Sequence, residues 1–267
     1  MTQEPAGGPA PGNRPAPREP GIRVGCAGWA IPKPQAERFP GPGSHLERYA
    51  RRFAAVEINS SFYRPHRPAT YARWAASVPE GFRFSVKMPR EITHRRRLRE
   101  VGEPLDRFLG EAGALGSKLG VLLVQLPPSL RFEPPVAEAF LSALRDRYDG
   151  PVVCEPRHTS WFDGTADRLL AAHRIGRVAA DPAPVPAAGV PGGWRGFVYF
   201  RWHGTPQMYR SAYTDEALDA LAERLLAAAR QDDGRSVWCI FDNTALGAAT
   251  ADALRLLDRL QDRDQAA

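Results

Sequence analysis

From Ile22 onward the chain alternates between two hydrophobic periods. Short β-branched or apolar runs, as in buried strands, are separated by segments whose apolar residues recur at helical spacing. The runs are Ile22 to Cys26, Ala55 to Ile58, Arg83 to Val86, Val121 to Val124, Val152 to Cys154, Arg177 to Ala180, Phe197 to Phe200 and Val237 to Phe241. This α/β alternation predicts a (β/α)8 TIM-type barrel over residues 21 to 267, a single domain of the size usual for such barrels, about 250 residues. An open doubly wound sheet is the competing arrangement. It fits less well, because the turn Gly25-Cys26-Ala27-Gly28-Trp29 lacks the glycine spacing that those sheets use to cradle phosphate.

Helix starts are marked locally. Ser44 with Glu47 makes a capping-box pattern ahead of Leu46, Tyr49, Ala50 and Phe53. Thr214 is placed as an N-cap, followed by Asp215 and Glu216 at the positive end of the helix dipole, with Tyr213 set to staple onto Leu218. Pro134 and Pro135 open a helix bearing Phe140, Leu141 and Leu144, and Leu105, Phe108, Leu109, Ala112 and Leu115 mark another buried face. One unit breaks the rhythm: Pro182 to Gly196 holds four prolines and four glycines where a sixth helix would stand, and reads as a Pro/Gly-rich loop. Residues 1 to 20 hold six prolines among Gly and Ala, with almost no large apolar side chain to bury, and read as a disordered tail.

Composition narrows the class. No apolar run approaches the roughly 20 residues that span a bilayer, and no basic segment leads into an apolar stretch at the N-terminus, so a cytoplasmic protein without membrane association is expected. Cys26, Cys154 and Cys239 lie in apolar runs without CxxC spacing, as buried free thiols do. The net charge of +6 points weakly to nucleic acid, since the skew toward arginine over lysine, with abundant Ala and Pro, looks like compositional bias. The run Arg95, Arg96, Arg97 and Arg99 would grip phosphates or simply form a solvated loop.

The C-terminal strand ends of a barrel converge on one mouth, so polar residues remote in sequence can meet there. Nearly every run delivers one: Glu57 and Asn59, Lys87, Gln125, Glu155 with Arg157 and His158, Asp181, Arg201 with His203, and Asp242 with Asn243. The expected catalytic groups are Glu57, Lys87, Glu155 and His203. Paired carboxylates can divide acid and base roles if their environments separate their pKa values, and they can equally pair with Arg157 or Arg201. Lysine is rare here, Lys33, Lys87 and Lys118 being the only three, and a pocket lysine either binds an anion or loses its proton and forms a Schiff base. His203 is the leading proton-transfer histidine. Trp29, Asn59, Tyr63, His94, Gln125, Arg157, His158, Asp181, Arg201 and Asn243 are expected to line the ligand site, with arginine forks suited to phosphate or carboxylate.

Ordered segments along residues 22 to 260 carry a family resemblance. They are VGCAGWA at 24 to 30, VEINSSFYRP at 56 to 65, FRFSVKMPREITH at 82 to 94, LGSKLGVLLVQLPP at 115 to 128, CEPRHTSW at 154 to 161, YFRWHG at 199 to 204, YRSAYT at 209 to 214 and FDNTALGAATADALRL at 241 to 256. Together they resemble the domain-of-unknown-function 72 (YecE-like) family, which implies an α/β barrel and no established activity. In that family the first motif reads closer to G-T-S-G-W and the last closer to F-N-N, so Cys26, Ala27 and Asp242 depart from the pattern.

Three functions follow from this reading. The first is a metal-independent acid/base enzyme acting on a small, oxygen-rich anionic compound such as a sugar phosphate or sugar acid. The second is a divalent-metal-dependent isomerase or phosphodiester hydrolase using Glu57, Glu155, Asp181 and His203; no HxH or HExxH spacing supports it, and no cofactor is predicted. The third is a non-catalytic ligand or nucleic-acid binding module using Arg95 to Arg97. The sequence sets no oligomeric state.

Overall fold

The computed structural model describes residues 21–230 and 235–265, so the expected N-terminal tail lies outside the described residues. Among the described residues ten strands appear in chain order: β1 (Ile22–Cys26), β2 (Ala55–Ile58), β3 (Arg83–Lys87), β4 (Leu119–Gln125), β5 (Val152–Glu155), β6 (Ile175–Arg177), β7 (Ala179–Asp181), β8 (Gly192–Gly193), β9 (Phe197–Trp202) and β10 (Ser236–Phe241). The helices are α1 (His45–Tyr49), α2 (Pro68–Ala76), α3 (Gly102–Ala112), α4 (Pro134–Arg145), α5 (Gly164–Ala172), α6 (Asp215–Ala229) and α7 (Ala248–Gln265).

The strands form a mixed α/β fold with two sheets. One has the order β1-β10-β9-β7 and the other β2-β3-β4-β5-β6-β8. Every pairing is parallel except β6 with β8. The expected sixth strand is therefore two short ones, which differs from the sequence reading. The chain leaves one sheet after Arg177, Val178 donates its backbone N–H to Cys154 O at 2.9 Å, and Ala179 begins pairing with β9 in the other sheet. The Pro/Gly-rich stretch forms a 3-10 turn (Pro186–Gly189) and the two-residue strand β8, without an α-helix.

At two places the sheets approach closely, and glycine makes each approach possible. A Cβ on Gly25 of β1 would stand 2.2 Å from Ala55 O of β2, and one on Gly176 of β6 would stand 2.5 Å from Phe197 O of β9. The Tyr49 hydroxyl spans the first of these seams, accepting from Cys26 N at 2.8 Å and donating to Ala55 O at 3.1 Å. A single parallel bridge pairs Ala27 with Glu57 beyond it.

The helix starts follow from their caps. Ser44 Oγ accepts from Glu47 N while Glu47 reaches back to Ser44 N, completing the capping box on α1. Thr214 accepts from Ala217 N at the start of α6, and Tyr213 packs against Trp202 and Phe241. Leu105 and Phe108, Phe140 and Leu144, and Leu218, Leu221 and Leu225 turn inward to a core shared with the outward faces of the strands.

Strand side chains alternate between faces, so the second core follows from period two. Ala55, Val121, Leu123, Val153, Phe197, Tyr199, Trp238 and Ile240 pack together between the sheets. Counting on by two along the same faces reaches Glu57, Lys87, Gln125, Glu155, Arg201, His203 and Asp242. The apolar layer thus gives way to a charged one at the C-terminal strand ends.

Candidate functional site

Arg201 is the centre of the charged layer and is fully buried. Its Nε and Nη2 grip Glu57 bidentately at 3.0 and 2.8 Å, Nη1 meets Glu155 Oε2 at 3.0 Å, and Nη2 lies 2.9 Å from Asp242 Oδ2. The Tyr199 hydroxyl, two residues earlier on the same face, lies 3.0 Å from both Glu57 Oε2 and Ser85 Oγ. His203, two residues later, sits between Glu155 Oε1 at 3.0 Å and Asp242 Oδ2 at 3.1 Å. A neutral imidazole can donate to only one of these carboxylates.

Burial alone would raise the Glu155 pKa, but Arg157, Arg201 and His203 hold it well below the usual carboxylate range. Asp242 is lowered in the same way, burial being outweighed by Arg201, His203 and Lys87. Arg157 contributes its Nε at 3.1 Å from Glu155 Oε1 and donates its Nη1 to the Tyr209 hydroxyl at 2.8 Å.

Lys87 is different. It is only 5% exposed, yet among the described residues its ammonium has neither a hydrogen bond nor an ion pair. It stands 4.2 Å over the Phe62 ring. Burial, then repulsion by Arg201, pushes its pKa down to about 8, partly offset by Glu57, Asp242 and Glu155. The neighbouring His94 is lowered to about 4 by burial and by Lys87, Arg157, Arg90 and Arg97, so its ring is neutral at physiological pH. Its Nδ1 lies 2.8 Å from Thr93 Oγ1.

Lys87 and His94 line a pocket of about 470 Å³ with Arg90, Arg95, Gln125 and Arg157, while Phe62, Tyr63 and Tyr209 supply aromatic walls. No acidic side chain is among its lining residues. Arg157 and Pro128 also border a second pocket of about 310 Å³, walled by Pro156, Pro182, Pro184 and Met208, with Glu155 and His203 on its polar side.

Of the residues picked from sequence, Glu57, Glu155, Arg157, Arg201 and His203 share one network, and Lys87, His94, Gln125, Tyr63 and Arg157 share the basic pocket. The others are placed elsewhere. Trp29 packs edge-on against Trp74, with ring centroids 5.0 Å apart. His158 caps the turn at Thr159–Trp161 by accepting from Ser160 N. Asp181 accepts from the Thr205 and Tyr213 hydroxyls, and Asn243 donates to Ser211 O and Asp252 Oδ2, so both pin loops. Asn59 is half-buried, and its Oδ1 has no partner among the described residues.

Tyr199 and Asp242 join the network and Arg90, Arg95 and Tyr209 the pocket; sequence named Asp242 only as a strand-end residue and Arg95 only within the basic run, and did not name Tyr199, Arg90 or Tyr209. Tyr199 and Asp242 are detectable by counting alternate positions along β9 and β10. Arg90 and Arg95 reach the pocket because the chain winds into a helical turn (Glu91–Arg95) after β3, and Tyr209 through its contact with Arg157; no periodic signal marks these three. The Glu57, Glu155, Asp181 and His203 set proposed for a metal does not assemble, since Asp181 is engaged with Thr205 and Tyr213 while Arg201 joins Glu57 to Glu155. Among the described residues, no helix is long and apolar enough to cross a membrane.

Residues 23–267 match the family described as "Protein of unknown function DUF72". The UPF0759 protein YecE of Escherichia coli (strain K12) is 31% identical over 173 residues, a stretch covering 62% of this chain and 61% of YecE. The UPF0759 protein YunF of Bacillus subtilis (strain 168) is 26% identical over 153 residues, 53% of this chain and 52% of that protein. The chain thus spans about three fifths or less of the curated relatives it matches. A crystal structure of a DUF72 family protein from Enterococcus faecalis V583 is similar with a TM-score of 0.75 at 22% identity, covering 90% of this chain and 95% of that one. Another, from Thermotoga maritima MSB8, gives a TM-score of 0.73 at 24% identity, covering 90% and 99%. At these identities the structural likeness is one of fold, and the sequence match supplies the family: the chain belongs to DUF72.

Proposed function

We propose that the two sheets together make an eight-position barrel, with β6 and β7 sharing the sixth position, and that its mouth binds a small oxygen-rich anion such as a sugar phosphate or sugar acid for metal-independent acid/base chemistry. The close seams at Gly25 and Gly176 and the Ala27–Glu57 bridge support the barrel. One observation carries the anion: a pocket lined by Lys87, Arg90, Arg95 and Arg157 with no acidic side chain on its wall. Arg157 offers a guanidinium fork and Lys87 a compact charge, a pairing suited to phosphate or carboxylate oxygens.

Within this reading the carboxylates are not the proton shuttles. Glu57 and Glu155 are saturated by Arg201, Tyr199, Arg157 and His203, and they fix the guanidinium groups in place. Lys87 titrates close enough to neutrality to take up and return a proton, and neutral His94 can assist it. The apolar second pocket beside Arg157 would take the uncharged part of the substrate.

The metal-dependent alternative is less well supported, because Arg201 already supplies the positive charge shared by Glu57, Glu155 and Asp242. The nucleic-acid alternative is also weaker, since Arg96, Arg97 and Arg99 are engaged with Glu91, Ser129 and Glu133. Calorimetric titration with inorganic phosphate, then with sugar phosphates and sugar acids, tests the proposal. Saturable binding at one site that is lost in Lys87→Met is expected; binding unchanged by that substitution would overturn it.

A further inference from the structure

We propose that Lys87 forms an imine with the carbonyl carbon of a small oxo compound whose phosphate or carboxylate is held by Arg157 and the neighbouring pocket arginines. This rests on the anion-binding reading and adds a covalent step to it.

The placement of the amine carries the inference. Buried lysines are normally paired, and even half-buried Lys118 is, donating to Ala75 O and Val78 O at 2.9 and 2.5 Å. Lys87 is not, although it is the more deeply buried of the two. The acids facing it, Glu57 from β2, Glu155 from β5 and Asp242 after β10, are all committed to Arg201, and Arg201 itself repels it. On its remaining sides are the Phe62 ring and neutral His94. Among the described residues no hydrogen bond or ion pair fixes the ammonium, Glu57, Asp242 and Glu155 offset its lowered pKa only in part, and the group borders a pocket large enough for a small ligand.

The chemistry balances without an added oxidant or reductant. The neutral amine attacks the carbonyl carbon, and the carbonyl π electrons move to oxygen, which takes a proton to give a carbinolamine as nitrogen loses one. The hydroxyl then leaves as water after protonation, the nitrogen lone pair forms C=N, and His94 is the uncharged base available to carry these protons. At pH 7.5 an amine titrating at about 8 is roughly one quarter neutral, against roughly one in a thousand at the ordinary 10.5.

The test is reductive trapping. The full chain is incubated with glycolaldehyde phosphate and cyanoborohydride at pH 7.5, and adducts at Lys33, Lys87, Lys118 and the N-terminus are quantified by peptide mass spectrometry. Lys87 should label at least about tenfold faster than exposed Lys33, and inorganic phosphate should suppress that labelling selectively. Glycolaldehyde without the phosphate should label Lys87 more slowly than glycolaldehyde phosphate does, keeping only the preference over Lys33 that the larger neutral fraction gives. In Lys87→Arg the adduct should vanish, since the guanidinium stays protonated and supplies no neutral amine.

If phosphate binds but Lys87 labels no faster than Lys33, the imine inference fails and the anion reading stands. If phosphate neither binds nor protects, the anion reading fails. Equal labelling of Lys87 by both aldehydes would overturn recognition through the held anion. Phosphate protection is read on the wild-type chain, so a poorly folding variant does not remove the test.

Discussion

Replacing Arg201 with Met should remove the group that makes the charged layer tolerable. The side chain is fully buried and joins three buried carboxylates, Glu57, Glu155 and Asp242. Removing one partner of a buried ion pair costs about 3–5 kcal/mol, chiefly because the other charge is left uncompensated. Here Arg157 still holds Glu155 and His203 still holds Asp242, so the loss should stay near one such increment. About 4 kcal/mol is a large part of the 5–15 kcal/mol typical of a folded domain.

The pH dependence gives the sharper signature. In the native protein Glu155 and Asp242 are depressed, so their contribution to stability is present above their unfolded pKa near 4 and is lost as pH falls through their lower folded values. Without Arg201 their folded pKa values rise, and the variant's penalty is relieved as pH falls and they protonate. Urea unfolding at pH 7 and pH 4.5 should therefore show a gap of about 4 kcal/mol that narrows at the lower pH. A gap below about 1 kcal/mol at pH 7, or one that widens on acidification, would refute the reasoning.

Lys87→Met should stabilise the unliganded protein. A lysine lowered from 10.5 to about 8 opposes folding by on the order of 3 kcal/mol while the pH is below 8, and the variant's midpoint in urea should rise accordingly. The sign follows because the unfolded chain binds more protons between these pKa values, so wild-type stability should climb with pH from 8 to 10.5 while that of the variant stays flatter. Phosphate affinity of the wild type should fall as pH rises through about 8, and that of Lys87→Arg should fall less; isothermal titration at pH 7 and 9 reads both. Gly25→Ala should cost more than about 3 kcal/mol in thermal unfolding, since its Cβ would meet Ala55 O at 2.2 Å and backbone at a seam cannot give way cheaply.

The strand runs are legible in the sequence because parallel strands buried on both faces are continuously apolar, and their bounds agree with the structure to within two residues. The sixth is the exception, since no local residue signals that Val178 changes sheets; the change is set by β8 pairing with β6 on one side and by β9 on the other. The charged layer is legible for the same reason as the apolar one, because alternation carries both Tyr199 and Arg201, and both Ile240 and Asp242, to one face. Sequence alone does not reveal that Arg201 would consume the carboxylates and leave Lys87 unpaired, as that depends on side chains meeting across 144 residues. Trp29, His158 and Asn243 illustrate the converse, where polar or aromatic residues at strand ends stabilise turns and loops and stay outside the pocket.

The central claim is that the basic pocket holds an anion on Lys87 and Arg157. Anomalous diffraction from crystals soaked in selenate, a phosphate-like tetrahedral anion, tests it most directly. A selenium peak within hydrogen-bond distance of Lys87 Nζ and the Arg157 guanidinium is expected. A pocket empty at saturating selenate, or a Lys87 found ion-paired with Glu57 or Glu155, would contradict it.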